Sequence, residues 1–299
     1  MPTPEIDLHQ LKIFHSVARY LSYSRAGEAL SLSQPAVSRR VANLEASLGV
    51  ELFARRGRQI TLTDAGRCLY DYADRIFNLA EQAARTVAQF KDLEQGEVLV
   101  GASSTVGRYV LPGMLQSFRQ QYPGIKISLR LGNSAEIEKL IVVGTIDLGF
   151  TGRPVQNPNL HMEPYLADEL VLIIPPDHPF QKRREVLIGD LAHQTLIWRE
   201  EGSATRSVTE AYLRKHHLKA AQVMEIGDTE AIKRMVMAGT GVSFVSRYAV
   251  ATELSTNLLK TAPGGEMKIA RHFYLAFAKD RYLCPATLAF LNYTRKMFG

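Results

Sequence analysis

Residues 32–66 read LSQPAVSRRVANLEASLGVELFARRGRQITLTDAG, and this stretch decides the fold of the first part of the chain. Ser33 predicts the N-cap of a helix, and Pro35 is tolerated in its first turn because the first amides of a helix lack intrahelical partners. The buried face of this helix is predicted by four apolar residues at helical spacing, Val37, Val41, Leu44 and Leu48. Gly57 then predicts a tight turn between two short strands, as in the wing of a winged helix-turn-helix.

The residues before this stretch predict two further helices. The first is marked by a stripe of apolar residues at helical spacing, Leu8, Leu11, Phe14, Val17 and Ala18, which we assign to the core. Ser22 or Ser24 can cap the second helix, which runs through Leu30, so that residues 31–33 form the turn of a helix-turn-helix. We therefore predict a winged helix-turn-helix DNA-binding domain over residues 1–63.

Basic charge is concentrated in this predicted domain. The whole chain has a net charge of +6, which allows a polyanionic partner without requiring one. Between residues 39 and 58, however, five arginines stand against two acids, which gives a net charge of +3. A solvated basic face on a small helical domain is the alternative, but the agreement of caps, turn and wing favours DNA binding.

The candidate DNA-binding residues lie on the free face of the third helix and in the wing. Gln34 can pair with adenine and Arg39 with guanine in the major groove, whereas serine hydroxyls and the helix N-terminus favour phosphate. Arginines in the wing suit the adjacent DNA backbone or the minor groove. The predicted set is Ser33, Gln34, Pro35, Ser38, Arg39, Arg55, Arg56 and Arg58.

Residues 64–94 predict a long linker helix that favours a dimer. Thr63 is its expected N-cap, and no proline interrupts the helix up to about Leu93. Apolar residues recur along it at heptad spacing, Leu69, Ile76, Ala83 and Phe90, with Tyr72 and Leu79 between them. Such a seam is too long to bury inside one small domain and indicates a short coiled coil between two copies of the chain. A helix packed on its own chain remains the alternative.

From residue 95 to residue 299, short apolar strands alternate with amphipathic helices. The predicted strands are EVLVGAS, IKISLRL, IDLGFT, LVLIIP, VMEIG, VSFVS and FYLAFA, and the predicted helices lie near residues 109–121, 134–143, 204–216, 229–238 and 285–297. This alternation predicts α/β layers with a mostly parallel sheet. A single sheet would be large for this length, so we divide the segment into lobe I (95–167 and 270–299) and lobe II (168–269). The chain is thus predicted to be an α/β multidomain protein with a two-lobed effector-binding domain.

A cleft between two such lobes would hold a ligand beyond the carboxyl ends of the strands. Most residues at these ends are small hydroxyl-bearing residues next to a predicted helix start, and hydroxyls, free amides and the positive end of a helix together suit a small anion. Each hydroxyl also has an alternative role as an N-cap, and Arg206 could add a charged donor. The candidate effector-binding residues are Ser103, Ser104, Thr105, Asn133, Ser134, Thr151, Gly202, Ser203, Thr205, Arg206 and Thr229.

Other classes of protein fit the sequence less well. The first residues, MPTPEIDLHQLKIF, lack the basic start and apolar run of a secretory signal, and no apolar run approaches the ~20 residues that span a bilayer. We therefore expect a cytoplasmic protein without a membrane role. The two cysteines, Cys68 and Cys284, are far apart and the histidines are scattered, so we predict neither a metal site, a cofactor nor an enzyme. A solute-binding protein without a DNA role is the closer rival, although it leaves the first 93 residues unexplained.

The quoted stretch resembles the N-terminal signature of the LysR-type transcriptional regulators, and the resemblance extends over the whole chain. The matching residues are Ala26, Ala29, Leu30, Ser33-Gln34-Pro35, Val37-Ser38, Leu44-Glu45, Leu48-Gly49, Leu52-Phe53, Arg55 and Leu62-Thr63 through Gly66. The resemblance implies a periplasmic-binding-protein-like effector domain, a coiled-coil dimer through the linker helix and usually a homotetramer on promoter DNA. It also implies that Gln34, Pro35, Ser38 and Arg39 contact the major groove and that Arg58 contacts the minor groove.

Three segments of the second half, GASSTVGRYVLPGML, LGNSAEI and REEGSATR, resemble the branch of this family that governs sulfur and carbon assimilation, including the CysL, YeiE and CbbR types. This resemblance implies a small anionic effector. A sulfite-like oxyanion is the sharper expectation, and a phosphorylated or carboxylated metabolite is the alternative. We expect the ligand to change the relation of the two lobes, and thereby DNA bending and the access of RNA polymerase.

Overall fold

The computed structural model describes residues 6–56, 59–89, 96–155, 157–218 and 222–298. The chain forms two compact units, Met1–Val87 and Ala88–Gly299. The elements of the first unit are α1 (Leu8–Tyr20), α2 (Tyr23–Leu30), α3 (Gln34–Leu48), β1 (Phe53–Arg56), β2 (Gln59–Leu62) and α4 (Asp64–Gln89), of which the residues up to Val87 belong to this unit.

The second unit is built from β-strands and α-helices that alternate along the chain, with 3-10 helices at Pro179–Lys182, Ile188–His193 and Gly265–Met267. In order they are β3 (Gly96–Ser103), α5 (Ser104–Tyr109), α6 (Leu111–Gln121), β4 (Ile125–Gly132), α7 (Ser134–Val142), β5 (Leu148–Thr151), β6 (Leu160–Ile174), β7 (Thr195–Trp198), α8 (Ala204–Lys215), β8 (Gln222–Glu225), α9 (Thr229–Met237), β9 (Ser243–Ser246), α10 (Arg247–Ser255), β10 (Lys260–Thr261), β11 (Lys268–Ala278) and α11 (Pro285–Phe298).

The predicted helix-turn-helix is confirmed, and its turn is short for a physical reason. Ser22, not Ser24, caps α2, since its Oγ accepts a hydrogen bond from the amide of Arg25. Ser31 ends α2 in the left-handed conformation, with φ of 56°, which reverses the chain within one residue. Ser33 then begins α3 as its N-cap, but its side chain makes no capping hydrogen bond.

The core of the first unit fixes α3 and the wing. Phe14 is fully buried, and its ring centroid lies 5.4 Å from that of Phe53 in β1. The face predicted for α3 is confirmed, with Val37, Val41 and Leu44 buried and Leu48 partly buried. The prediction is wrong for Leu8, which is 59% exposed because it is the first residue of α1 and extends beyond the core.

One face of the linker helix α4 packs against the core of the first unit, and another face is exposed. Thr63 is confirmed as its cap, since the Thr63 Oγ1 accepts the amide of Gly66 at 2.9 Å. Leu69 packs against the core of the first unit rather than facing outward, so it does not belong to an exposed seam. The exposed large apolar residues described in α4 are Tyr72, Ile76, Leu79 and Val87. The predicted seam residue Ala83 is also exposed, and Phe90 lies outside the described residues.

The second unit contains a mixed seven-stranded sheet and a separate two-stranded sheet, whereas the sequence predicted a mostly parallel sheet. β3 pairs in parallel with β4 and β5, and β7 pairs in parallel with β8. The long strands β6 and β11 pair with each other in antiparallel fashion, as do β6 and β9. The reason is that the chain passes between the lobes along β6 and returns along β11 in the opposite direction.

Two lobes are visible as separate hydrophobic cores in this unit. The core of lobe I contains Val100, Phe118 and Phe290, whereas Leu172 and Val171 of β6 enter two cores on opposite faces of the sheet in lobe II. The predicted crossing points lie inside β6 and β11, where Asp168 and Arg271 are register partners. Sequence patterns had not predicted α10, the first half of β6 or the 3-10 helices. Within the described ranges, no helix has the length and apolar character needed to cross a membrane.

Candidate functional site

The start of α3 presents most of the residues predicted to read DNA. Ser33, Gln34, Pro35 and Arg39 are exposed, and Ser38 is half-buried. Because the side chain of Ser33 does not cap the helix, the first amides of α3 remain open to an anion such as a DNA phosphate. This face of α3 therefore has the geometry expected of a recognition helix.

The basic residues of this unit have few acidic neighbours. Arg39 and Arg40 are exposed and make no ion pair with any residue in the described part of the chain. Glu45 is engaged elsewhere, because its Oε1 accepts the amides of Leu52 at 2.8 Å and Phe53 at 3.2 Å and so attaches the wing to α3.

The wing residues are placed only in part. Arg55 and Arg56 lie in β1, where their backbones pair with Ile60 and Gln59 of β2. Arg58, predicted to reach the minor groove, lies outside the described residues, as does Gly57 at the predicted turn.

A cavity in the second unit lies between lobe I and lobe II, beyond the carboxyl ends of β3, β4, β5 and β7. The cavity is small, with an empty volume of about 240 Å³ that includes open solvent at its mouth. Lobe I contributes the starts of α5 and α7, lobe II contributes the start of α8, and the crossing strand β11 contributes one arginine. The lining residues are Ser103, Ser104, Thr105, Asn133, Ser134, Gly152, Arg199, Ser203, Ala204, Thr205 and Arg271.

Arg271 is a buried cation at this cavity with a buried counter-charge. Its Nε donates to Asp168 Oδ2 at 2.7 Å, and its Nη1 donates to Thr205 Oγ1 at 3.2 Å. Asp168 also accepts a hydrogen bond from the Ser246 hydroxyl at 2.7 Å, so its carboxylate is held from two sides. Burial lowers the pKa of Arg271 below its ordinary value, while Asp168 acts in the opposite direction, and the guanidinium stays protonated.

Arg199 is the second buried cation and has a different kind of partner. Its Nε and Nη2 donate to the two carboxylate oxygens of Glu200 at 2.7 and 2.9 Å, and its Nη1 donates to Thr229 Oγ1 at 2.8 Å. The side chain of Arg199 is 5% exposed, whereas that of Glu200 is 25% exposed and reaches water. Arg199 thus joins the cavity to the first turn of α9.

The hydroxyl groups of the cavity differ in how far their hydrogen bonds are already used. Ser104 donates to the carbonyl of Gly132 at 3.1 Å, and Ser134 accepts the amide of Gly152 at 3.2 Å. The Oγ of Ser103 is buried and has no hydrogen-bond partner among the described residues. A buried hydroxyl without a partner is costly, which makes Ser103 a candidate contact for a ligand oxygen.

Four predicted effector-binding residues do not line the cavity. Thr151 is fully buried and donates to the carbonyl of Arg153. Gly202 has a φ of +85°, and its carbonyl accepts the amide of Ala135 at 3.3 Å, so it closes the cavity edge through backbone alone. Thr229 does not reach the cavity itself but accepts a hydrogen bond from the cavity residue Arg199.

Arg206, the fourth, is oriented away from the cavity. It lies in the first turn of α8 and forms ion pairs with Glu210 at 2.8 Å and Glu225 at 2.5 Å, with its guanidinium over the ring of Trp198. Successive helical residues are turned by about 100°, so Arg206 does not share the direction of Ser203. The arginines that line the cavity are instead Arg199 and Arg271.

Sequence reasoning missed Arg199 and Arg271 as cavity residues, whereas Gly152 and Ala204 stand at predicted strand ends but outside the candidate set. A signal for Arg271 was present in KIARHFYLAFA, where Ile269, Arg271 and Phe273 occupy the inward positions of an alternating strand. A charged residue at an inward position indicates a partner or a ligand. No comparable pattern marks Arg199, whose role depends on the packing of α9.

Models of two domain families match the chain. The model of the bacterial regulatory helix-turn-helix protein of the lysR family matches residues 8–67, and the model of the LysR substrate binding domain matches residues 91–299. The RuBisCO operon transcriptional regulator of Allochromatium vinosum is 34% identical over 288 residues, which cover 96% of this chain and 95% of that protein.

Two solved structures are also similar. The regulatory domain of CcmR from Synechocystis PCC6803, in complex with 2-PG, is 30% identical with a TM-score of 0.64 and covers 68% of this chain and 98% of its own. Full-length CbnR complexed with its target DNA is 25% identical with a TM-score of 0.72 and covers 97% of this chain and 99% of its own. The likeness to a RuBisCO operon regulator matches the carbon-assimilation side of the branch expected from the sequence. The chain therefore belongs to the LysR family of bacterial helix-turn-helix transcriptional regulators.

Proposed function

We propose that this regulator binds promoter DNA through α3 and the wing, and that a small oxyanion in the inter-lobe cavity controls that binding. The observation that carries the effector part is the cavity itself, which combines two buried guanidinium groups with the unpartnered hydroxyl of Ser103. Guanidinium groups and hydroxyls are the donors that recognise carboxylate, phosphate and sulfur oxyanions.

The charges around the cavity are close to balance. Arg271 is paired with Asp168 and Arg199 with Glu200, so two cations stand against two anions. A bound anion would therefore be held by the remaining N–H donors, the hydroxyls and the first amides of α8, which no side chain caps, rather than by excess charge. Such a site selects an anion by geometry and favours a compact one.

Two chemical classes of effector fit these donors. The relative whose regulatory domain was solved with 2-PG, together with the RuBisCO operon regulator, supports a phosphorylated or carboxylated metabolite. A sulfite-like inorganic oxyanion is the alternative, and the small volume of the cavity supports it. We place the phosphorylated or carboxylated metabolite first, and we propose that carbon-assimilation genes are among the targets.

Calorimetric titration of the full chain tests the effector proposal. Titrants are 2-PG, sulfite, sulfate and thiosulfate, and at least one is expected to release or absorb heat with a stoichiometry of one per chain. Ser103→Ala should weaken that binding by about fivefold, because the ligand loses one hydrogen bond of about 1 kcal/mol. Ser117→Ala is the matched control, since the Ser117 hydroxyl donates to the carbonyl of Gly113 within α6. Absence of heat with all four anions would overturn the proposal.

The remaining parts of the proposal concern assembly. The exposed apolar stripe of α4, formed by Tyr72, Ile76, Leu79 and Val87, supports a homodimer through the linker helix, and two dimers would form the homotetramer on DNA. RNA polymerase is the further partner we propose. The activity needs binding alone, so we propose neither a catalytic role nor a cofactor, and promoter DNA as the target supports a cytoplasmic location.

A further inference from the structure

Two helices from different lobes meet beside the effector cavity. α5 belongs to lobe I, where its Val106 enters the core. α9 belongs to lobe II, where Ile232 and Val236 enter a separate core. Contacts between α5 and the first turn of α9 therefore join the lobes through side chains alone, without a shared strand.

These contacts are two polar pairs at the end of α5. Arg108 Nη1 donates to Asp228 Oδ2 at 2.6 Å, and the Tyr109 hydroxyl donates to the carboxylate of Glu230. Lys233 also contacts Glu230, at 2.8 Å from the same carboxylate oxygen, and its ammonium group lies 5.4 Å from the centre of the Tyr109 ring. Burial, and then the hydrogen bond to Glu230, raise the pKa of Tyr109, so its hydroxyl remains a donor at neutral pH.

The same turn of α9 is attached to the cavity. Thr229 lies between Asp228 and Glu230 in the sequence, and its Oγ1 accepts the Nη1 of the cavity residue Arg199 at 2.8 Å. The other end of α5 is also part of the cavity, because Ser104 and Thr105 line it. A ligand that touches Arg199 and the start of α5 therefore acts on the two helices that the polar pairs hold together.

We propose that Arg108–Asp228 and Tyr109–Glu230 form an inter-lobe clasp that sets the affinity of the cavity for its anion by holding the lobes closed. The inference rests on the proposed function, since it concerns the same cavity. A closed cavity brings donors from both lobes to one ligand, so ligand and clasp favour the same arrangement. When the clasp is lost, the closed arrangement is less populated, and the apparent affinity falls by the same fraction.

A backbone hydrogen bond reports closure without any ligand. The amide of Ala135 in lobe I donates to the carbonyl of Gly202 in lobe II at 3.3 Å. Ala135 is the second residue of α7, so its amide has no partner within the helix and is protected only while the lobes are together. Its hydrogen–deuterium exchange rate therefore measures opening at a site separate from the clasp.

The test uses the full chain and three clasp variants, Arg108→Gln, Asp228→Asn and Tyr109→Phe. An asparagine is also a good N-cap for a helix, so Asp228→Asn removes the charge without removing the cap of α9. The matched control is Arg183→Gln. This variant breaks the Arg183–Asp190 ion pair, in which the two charged groups lie 2.7 Å apart and both residues belong to lobe II. The exposure of the pair is comparable, since Arg183 and Asp190 are 48% and 29% exposed and Arg108 and Asp228 are 39% and 42% exposed.

In the ligand-free protein, each clasp variant should speed exchange at Ala135 by about three- to fivefold, the range of a partly exposed polar pair, and the control should leave it unchanged. Calorimetry with 2-PG, or with sulfite where 2-PG does not bind, should show affinity weakened by up to the same factor, because affinity follows the closed fraction and exchange follows the open fraction. Unchanged exchange at Ala135 in all three variants overturns the clasp, and so does faster exchange with unchanged affinity. Faster exchange in a protein that binds none of the tested anions supports the clasp while rejecting the proposed effector chemistry.

Discussion

The two units of the chain differ in the exposure and the ion pairing of their arginines. The first unit leaves Arg39 and Arg40 exposed on α3 without ion pairs to described residues, and it leaves an apolar stripe on α4 uncovered. The second unit buries Arg199 and Arg271 and gives each a carboxylate. Under the proposed function, the first unit binds DNA and a second copy through these exposed groups, whereas the second unit binds only a small anion.

This difference follows from the partners. A DNA phosphate backbone is bound through released counterions, which requires cations that face solvent and are free to approach it. A small anion has few atoms, and it is recognised by donors that are fixed and desolvated before it arrives. Binding by the first unit should therefore depend steeply on salt, and binding in the cavity only weakly.

The largest expected effect is a loss of stability when the buried Arg271–Asp168 ion pair of the second unit is broken. Arg271→Gln leaves Asp168, whose side chain is fully buried, without its counter-charge. Removal of one partner of a buried ion pair costs about 3–5 kcal/mol in the free energy of unfolding. Trp198 is the only tryptophan of the chain and lies in lobe II, so denaturant unfolding followed by its fluorescence measures the loss in this unit.

Arg199→Gln is the comparison that sharpens this result. Its partner Glu200 is 25% exposed and can be solvated when the cation is removed, so the loss should be only about 1–2 kcal/mol. Equal losses for the two variants would show that burial of the counter-charge does not distinguish the two arginines.

The next largest effect is expected for a substitution in the exposed apolar stripe of α4. Leu79 is 63% exposed in the single chain, and a dimer through α4 would bury it. Leu79→Glu would place a carboxylate in that interface and should weaken dimerisation by at least about 30-fold, equivalent to about 2 kcal/mol. Sedimentation at a series of protein concentrations measures the shift.

Leu258→Glu is the control for Leu79→Glu. Leu258 is 55% exposed and follows α10 in the second unit, so the same new charge there should leave the dimer intact. If both variants, or neither, dissociated, the stripe on α4 would not be the dimer interface.

A smaller effect is expected when the exposed basic face itself is changed. Arg39→Ala should cost about 1–3 kcal/mol in binding to a promoter duplex and should reduce the preference for that duplex over random DNA. Fluorescence anisotropy with both duplexes at several salt concentrations separates base reading from phosphate contact. Arg67→Ala is the control, because Arg67 is also exposed but is paired with Asp64 at the start of α4. Unchanged affinity and preference for Arg39→Ala would mean that another part of the unit reads the bases.

The same contrast between the units explains how much the sequence could predict. Local patterns predicted α3, its buried face and the cap Thr63, because caps and helical periodicity depend on residues a few positions apart. Seven of the cavity residues were also predicted, since each follows a strand or starts a helix. In the second unit, however, the pairing of Arg271 with Asp168 depends on residues 103 positions apart, and no local pattern shows it.

The orientation of Arg206 was wrong for a similar reason. Its proximity in sequence to Ser203 suggested the cavity, but its partners Glu210 and Glu225 come from α8 and β8 of lobe II. Long-range packing decides which arginine lines the cavity. The exposed position of Leu8 and the packed position of Leu69 were misjudged because the extent of the core is also a tertiary property.

The smallest expected effect is the dependence of the stability of the second unit on pH. His178 is held as the neutral ring, because its Nδ1 accepts the amide of Phe180 at 3.2 Å while its Nε2 faces Gln194 Oε1 at 3.3 Å. Burial lowers the pKa of His178 in the folded protein. Below the ordinary histidine pKa of about 6.5, the unfolded chain therefore binds a proton that the folded chain resists, so the contribution is complete above that pH and declines as the pH falls below it.

Between pH 7.5 and 5.5 the thermal midpoint of the second unit should fall by no more than about 2 °C through this residue. His178→Asn retains an acceptor for the amide of Phe180 but cannot titrate, so its midpoint should change less over the same range than that of the wild-type chain. The difference between the two proteins isolates His178 from the other histidines. Equal pH dependence in both proteins would mean that protonation of other groups causes the loss of stability in acid. A wild-type chain that acid stabilises relative to the variant would mean that folding favours the protonated ring of His178. In either case protonation of His178 would not destabilise the second unit, unlike the loss of charge balance expected at Arg199 and Arg271.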